Sequence, residues 1–268
     1  MTKDETDNVL QFDQLDPARG MALWAALGSA KTLKKDDHLP PFFHQIYFWT
    51  ALEPQNLGRD GHPKRGIGVV PDLGLPRRMW AGGRLTFQRP LLAGRLAQCT
   101  TQCLSVTQKT GRTGPLGLVT LGLSYKQSAQ LCVHEERDLI YRTDPDPESP
   151  KTIPPTVTLT ARITRSLSFD TTILFRYSAL TFNGHRIHYD LDYAKDIEGY
   201  EGLVVHGPLL AQILVLFAEE QLGPIRSFQF RATAPLLHFE NAEVCLSGQD
   251  LWIRGPDNRL CMQATVTL

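Results

Sequence analysis

Between Ser178 and Tyr193 the chain reads SALTFNGHRIHYDLDY, in which apolar Leu180 and Phe182 give way to an amide, two histidines and two acids. These residue types suit proton traffic around a bound molecule. An imidazole such as His188, with an ordinary pKa of about 6.5, can take and return a proton near neutrality. An amide such as Asn183 can orient a water or a hydroxyl, but it cannot accept a proton at ordinary pH. Asp190 and Asp192 are the nearby carboxylates that could do so. A purely structural account also fits, because Asn-Gly is a common turn pair and a histidine can be satisfied by backbone in a core.

A second element bears on that choice. The stretch GLVVHGPLLAQILVLFAEEQLG ends in a run from Pro208 to Gly223 that is apolar nearly all the way round. Such a run predicts a helix wrapped by protein on most sides, opened by proline and closed by glycine. The start of a buried helix has orphan N–H groups and a partial positive charge. Pro208 has no N–H, so the amides of Gly207 and Leu209 are the candidates to receive an oxygen that gains negative charge, such as an acyl carbonyl becoming an enolate. His206 shapes the mouth of that helix.

The elements that must position these groups come in two sets. PFFHQIYFWTAL, residues 41–52, carries proline and Gln45-Ile46 at the same offsets as Pro208 and Gln212-Ile213, which predicts a second buried helix. TFQRPLLAGRLAQC echoes QFRATAPLLHFENAEVC downstream of the two helices, in the same order. Strand-like runs follow each: 95–108, 117–127 and 130–142 in the first half, 227–235, 242–254 and 260–268 in the second. Ser166–Phe182 also has strand character, broken by the NGH turn. Thr143–Pro155, with five prolines, reads as a linker between a first half of residues 1–142 and a second of 156–268. Residues 53–83 form a Gly/Pro-rich insertion confined to the first half, and its apolar Val69, Val70, Leu73, Met79 and Trp80 favour a lid or ligand-contacting loop. The expected fold is α+β, with two antiparallel sheets, each wrapped around its own helix and paired edge to edge.

FRYSALTFNGHRIHYD together with GLVVHGPLLAQIL resembles the hot-dog hydratases and dehydratases of the MaoC and hydratase-2 type. With LGRDGHPKRG and LPRRMWAGGRLTF, the likeness extends to the double-hot-dog hydroxyacyl-thioester dehydratase type 2 group, which includes mesaconyl-CoA and itaconyl-CoA hydratases. It implies one degenerate half and one catalytic half, a catalytic histidine at His188, and a carbonyl-polarising amide at Gly207. In the hydratase-2 motif an aspartate precedes that histidine by five residues, and here the position holds Asn183. Asn183 would then hold the water while His188 carries the proton, unless Asp190 or Asp192 replaces the acid. The resemblance also implies a short branched dicarboxylic enoyl-CoA, itaconyl-CoA or mesaconyl-CoA, hydrated to citramalyl-CoA. A 3-hydroxyacyl-thioester dehydratase of fatty-acid synthesis and a non-catalytic acyl-CoA-binding hot dog are the alternatives.

Coenzyme A is then part of the substrate, and no separate cofactor is expected. Its phosphates call for cations near a pocket mouth, and Lys64, Arg65, Arg77, Arg78, Arg84 and Arg186 are available, with Trp80 beside them. A distal carboxylate needs a cation inside the pocket, for which Arg84 and Arg186 are the first choices. The 28 basic residues balance the 28 acidic ones, so nothing global attracts nucleic acid or anionic lipid, and no stretch is apolar enough to span a membrane. Five cysteines without a CxxC pair argue against a zinc ribbon or a disulfide framework and suit a reduced cytoplasm. HRIHYDLD with His206 has metal-ligand residue types but no recognised spacing, so no metal is expected. A homodimer of such fused chains is compatible with this reading.

Overall fold

The computed structural model describes residues 8–111, 114–144 and 153–268. Ten strands form one antiparallel sheet, and each half contributes a run of five. In the first half these are β1 (Val9–Asp13), β2 (Arg77–Phe87), β3 (Ala97–Gly111), β4 (Gly114–Gln127) and β5 (Gln130–Arg142); in the second, β6 (Ile163–Leu167), β7 (Ser227–Ala232), β8 (Ala242–Ser247), β9 (Asp250–Arg254) and β10 (Leu260–Thr267). The order across the sheet is β1-β3-β4-β5-β2-β7-β10-β9-β8-β6. Read from the centre outward, the two halves run in the same succession, so the faint sequence repeat is a structural one. Along β10, alternation puts Met262, Ala264 and Val266 inside and leaves Gln263 and Thr265 out, as a one-face-buried strand requires.

The halves meet where β2 pairs with β7, from Gly82 opposite Arg231 to Thr86 opposite Ser227. A bulge between Trp80 and Gly82 precedes this seam. A Cβ on Gly82 would stand 2.4 Å from the Phe230 carbonyl oxygen, so the two backbones close only because residue 82 has no side chain. Arg77–Gly83, expected within the loop insertion, are therefore strand: they pair with β5 as a sheet centre must, and the irregular part of the insertion stops short of them.

Among the described residues the sheet wraps a single long helix, α3 (Gly207–Leu222), whose Leu209, Leu210, Ala211, Gln212, Leu214, Val215, Phe217 and Ala218 are all buried. The second helix expected at 41–52 is absent. That segment contains one 3-10 turn, Phe43–Ile46, flanked by Phe42 and Phe48 in left-handed conformations. Aromatic residues are weak helix formers, and tertiary contacts decide here. Phe42 packs edge-on against Phe228 and Phe230 of β7, at 6.2 and 5.8 Å. Buried Glu135 accepts hydrogen bonds from Gln45 (2.8 Å), Tyr125 (3.1 Å) and Arg137 (2.8 Å) and lies 3.2 Å from His44 Nε2. Burial alone would raise its pKa, but Arg137 and His44 outweigh that and hold the carboxyl well below the usual range.

Two shorter helices, α1 (Pro17–Ala26) and α2 (Thr171–Leu180), pack on each other beside the sheet. All of α2 lies where a strand was expected over 166–182. Asp170 caps it by accepting the Ile173 N–H at 2.8 Å, and Leu174, Tyr177 and Ser178 form its buried face at helical spacing. Of the expected linker, residues 145–152 lie outside the described part. Among the described residues no helix is long and apolar enough to cross a membrane.

Candidate active site

The α2 helix ends at Leu180, and the NGH turn follows. Asn183 Oδ1 accepts the His185 N–H at 3.0 Å, which ties the amide into the turn. A 3-10 turn, Arg186–His188, then carries His188 inward, where it is buried. Its Nδ1 lies 2.7 Å from the Val204 carbonyl oxygen, a group that can only accept. Nδ1 therefore holds the proton, and Nε2 presents its lone pair. The His188 ring stacks on His206 with centroids 3.6 Å apart and planes 18° from parallel. His206 in turn places Nε2 2.8 Å from Ser178 Oγ and leaves its buried Nδ1 without a partner.

Gly207 follows His206 directly and opens α3, whose N-terminus has no capping side chain. The first bond of the helix runs from Leu210 N–H to His206 O, so the Gly207 and Leu209 amides precede the helical ladder. The Trp80 carbonyl approaches within 3.8 Å of the position a Cβ on Gly207 would take, so the β2 bulge and the helix start border the same spot. The structure thus brings His188, His206, Gly207 and Trp80 together.

The expected cations divide. Arg84 is held by Glu136 (2.8 Å) and in a fork by Asp138 (2.7 and 3.0 Å), all on the sheet. Arg186 is held by Asp190 at 2.7 and 2.9 Å and covers the Tyr193 ring, and Arg77 pairs with Glu198 at 2.6 Å. Arg78, Lys64 and Arg65, with Arg59, line a cleft of 460 Å³ bounded by Gly58–Gly66, Val70–Leu73 and Tyr141. A larger depression of 810 Å³ lies around Trp24, Lys31 and Glu220; neither wall includes His188, His206 or Gly207, and the smaller cleft is bordered by His62. Neither acid proposed as a stand-in for the missing aspartate is placed for it. Asp190 is bound by Arg186 and caps the Tyr193 N–H at 3.0 Å, while Asp192 is exposed.

Beside His185, the structure places two residues that were not candidates from sequence, Asp60 and His62. The loop that carries RDGHP packs its backbone on the NGH turn. A Cβ on Gly61, at φ +83°, would lie 1.9 Å from the Gly184 carbonyl oxygen, and Arg186 N–H donates to Asp60 O at 2.9 Å. Asp60 Oδ2 is 3.1 Å from His62 Nδ1. The His62 ring lies 4.2 Å from that of His185, and His185 lies 5.3 Å from His188. Four imidazoles therefore run in file from the cleft wall to the start of α3. Asp60, His62 and His185 each bring one potential metal-ligand atom within 4.8 Å of the others, and a hydrogen bond joins Asp60 Oδ2 to His62 Nδ1. Two signals lay on this segment, the D-x-H spacing within RDGHP and the likeness carried by LGRDGHPKRG.

Burial keeps the file uncharged. It pushes His188 down to about 3, against the pull of the Val204 carbonyl. It pushes His62 down to about 4 with help from Arg78, while Asp60 opposes. His185 and His206 are driven well below the ordinary value by burial and by neighbouring histidines. Unfolded, these rings would bind protons near pH 6.5. The unfolded chain therefore takes up more protons than the folded one as pH falls below that value, and stability drops with pH. Each ring contributes up to about 1.4 kcal/mol per pH unit until its folded pKa is reached. Thermal melts at pH 7.5, 6.5, 5.5 and 4.5 should show a midpoint that falls progressively below pH 6.5, less steeply in His185→Gln; a flat profile would contradict neutral buried imidazoles.

A model of the family described as hydroxyacyl-thioester dehydratase type 2 matches residues 42–238. The chain is 42% identical over 265 residues to mesaconyl-C(4)-CoA hydratase of Chloroflexus aurantiacus, covering 92% of each. It is 29% identical over 245 residues to the mitochondrial hydroxyacyl-thioester dehydratase type 2 of Schizosaccharomyces pombe, covering 80% of each. Among solved structures, a MaoC-like dehydratase of Phytophthora capsici aligns with a TM-score of 0.69 at 13% identity, over 98% of this chain and 96% of that one. A Mycobacterium tuberculosis protein described as a double hotdog aligns at 0.60 and 12% identity, over 98% and 96%. These structural likenesses establish the double hot-dog fold.

Proposed function

The chain belongs to the hydroxyacyl-thioester dehydratase type 2 family, and from that premise we propose that it adds water reversibly to a short, branched, dicarboxylic enoyl-CoA. The thioester is itaconyl-CoA or mesaconyl-C4-CoA, and the hydrated partner is citramalyl-CoA. The protein is an enzyme of the hydro-lyase type, as its relatives' names are. One observation carries the mechanism: the stack of His188 on His206 puts an imidazole with a free Nε2 beside the residue that precedes the Gly207 amide.

The thioester oxygen sits at the start of α3, where the Gly207 amide and the helix dipole favour the negative charge that develops as the enolate forms. On mesaconyl-C4-CoA, whose double bond joins the α- and β-carbons, His188 Nε2 takes a proton from water as the water oxygen bonds to the β-carbon. The imidazolium then returns that proton to the α-carbon as the enolate collapses. Itaconyl-CoA, whose double bond joins the β- and γ-carbons, first gives an α-proton to His188 and takes it back at the γ-carbon through the same kind of enolate. Because burial keeps His188 neutral at ordinary pH, its lone pair is available without prior deprotonation. Lys64, Arg65 and Arg78 along the cleft suit the phosphates of coenzyme A or a distal carboxylate. A cytoplasmic setting suits five free thiols, of which Cys99, Cys132, Cys245 and Cys261 are buried.

The test is a side-by-side assay of the purified protein on itaconyl-, mesaconyl-C4-, crotonyl- and long-chain 2-enoyl-CoA. The expected result is kcat/KM at least about tenfold higher for the dicarboxylic thioesters, the discrimination a single charge-assisted contact supplies. Equal or better turnover of long chains would move the assignment to fatty-acid dehydration, and binding without turnover would make the protein an acyl-CoA binder.

A further inference from the structure

The mechanism above leaves one water hydrogen unheld. The amide at residue 183, where the motif has an aspartate, has its carbonyl oxygen engaged by the His185 N–H at 3.0 Å. The only described carboxylate grouped with the site imidazoles comes from the other half of the chain. It is Asp60, buried, with its Oδ2 on His62 Nδ1 at 3.1 Å and within 4.8 Å of a ring nitrogen of His185.

We propose that the Asp60–His62 pair is the second basic pole of this active site: His62 Nε2 accepts a hydrogen bond from the attacking water, and Asp60 fixes the ring that does so. The inference rests on the hydratase reading. Three features of the structure carry it. An ionised Asp60 can only accept, so it holds the His62 proton on Nδ1 and leaves the Nε2 lone pair free, the arrangement by which a carboxylate orients a catalytic imidazole. Both residues stand in the wall of the cationic cleft that also contains Arg59, Lys64, Arg65 and Arg78, the face from which a thioester would arrive. Finally, the pair is rigidly placed: the Gly61 and Gly184 backbones are in contact, Arg186 N–H holds Asp60 O at 2.9 Å, and Arg186 Nη1 holds Arg59 O at 3.1 Å. A loop with no role in the site would not need its acid and its histidine docked on the turn that carries His185 and His188.

The step balances without net change on His62. In the conjugated mesaconyl-C4 thioester the water oxygen bonds to the β-carbon, and the π electrons pass to the thioester oxygen. One water proton goes to His188 and is returned to the α-carbon. The other stays on the new hydroxyl, hydrogen-bonded to His62. The charged or titratable groups facing His62 are Asp60 in its own loop, Arg78 on β2, and His185 and His188 of the second half. Burial and Arg78 hold its pKa at about 4, so the lone pair persists at neutral pH.

The test compares wild type, His62→Gly, His62→Gln and Asp60→Asn on itaconyl- and mesaconyl-C4-CoA. His62→Gly should lose about 10²-fold in kcat, the usual worth of a positioned acid–base group, while the Kd for a saturated, non-hydratable thioester, methylsuccinyl-CoA, changes less than about twofold. Added imidazole should restore its turnover, because the cleft is open and only a missing base can be replaced from solution. Asp60→Asn should lose about tenfold and shift the His62 tautomer seen by nitrogen NMR. Retention of more than half of wild-type kcat by both His62 variants would overturn the proposal. So would a loss matched by weaker thioester binding without imidazole rescue, or stoichiometric zinc in the purified protein that disappears with His62. Should His62→Gly fail to fold, His62→Gln and Asp60→Asn decide by the same kcat criterion. A wild type that hydrates no thioester counts against the hydratase reading, and the tautomer of His62 in wild type and Asp60→Asn still judges the pair by itself.

Discussion

Replacing His188 with alanine should lower kcat for hydration by about 10³-fold, within the range that a positioned general base contributes. The expectation follows from how the ring is held. The Val204 carbonyl accepts a hydrogen bond from Nδ1–H at 2.7 Å, and stacking on His206 at 3.6 Å fixes the ring plane, so Nε2 is the one basic atom the residue offers. Alanine removes that atom and leaves the Val204 carbonyl without its donor, which costs about 1–3 kcal/mol of stability. Melting midpoints and thioester binding measured with kinetics separate the two effects: binding should survive while turnover does not. Hydration of the mesaconyl-C4 thioester removes its conjugated enoyl chromophore, so the measurement is direct. Undiminished turnover in a folded His188→Ala protein would remove the proposed base.

Gly61→Ala should be the most damaging single-methyl change outside the core. The new Cβ would stand 1.9 Å from the Gly184 carbonyl oxygen, and the residue sits at φ +83°. The two closest neighbours are backbone atoms, so no side chain can swing aside, and relief requires that the 58–63 loop leave the NGH turn. Gly28→Ala provides the control, because Gly28 has φ +76° but nothing within 4 Å of its Cβ position. It carries the left-handed penalty alone, about 1–2 kcal/mol. Gly61→Ala should cost about 2 kcal/mol or more beyond that in urea unfolding. Its kcat should fall at least as far as that of His62→Gly, since the displaced loop takes Asp60 and His62 with it. If the two glycine variants match in stability and both keep full activity, the docking of the loop has no functional weight.

Much of this architecture can be read from local pattern. The strand-like run over 130–142 coincides with β5 (Gln130–Arg142) to the residue. The all-round apolar run after Gly207 is α3 because such a pattern has no other stable use. Where local pattern competed with tertiary contact it misled. Ile173, Phe175 and Tyr177 alternate like a strand, yet the Asp170 cap and the Leu174–Tyr177–Ser178 face make them helix. Residues 41–52 have the composition of α3, but Glu135 takes His44 and Gln45, and the Phe42 ring is drawn to the seam. His188 and Gly207 were legible as candidates because short motifs carry them, and the structure sets them beside each other through His206. Asp60 and His62 lie within LGRDGHPKRG, which carried likeness but no role, because the sequence of one half does not show which turn of the other half it docks on. Arg84 and Arg186 illustrate the converse, since sequence shows a cation but not the acids that already hold it.

The contact of Gly61 with Gly184 joins the fates of two segments that lie on opposite sides of the Pro-rich stretch. A crossover between two relatives within 145–152 would respect both hot-dog units and the sheet between them, yet it would separate a loop from the turn it was selected with. Chimeras of that kind should be heritable as folds and defective as catalysts, so lineages of this protein are expected to pass on the two halves as one unit rather than exchange them.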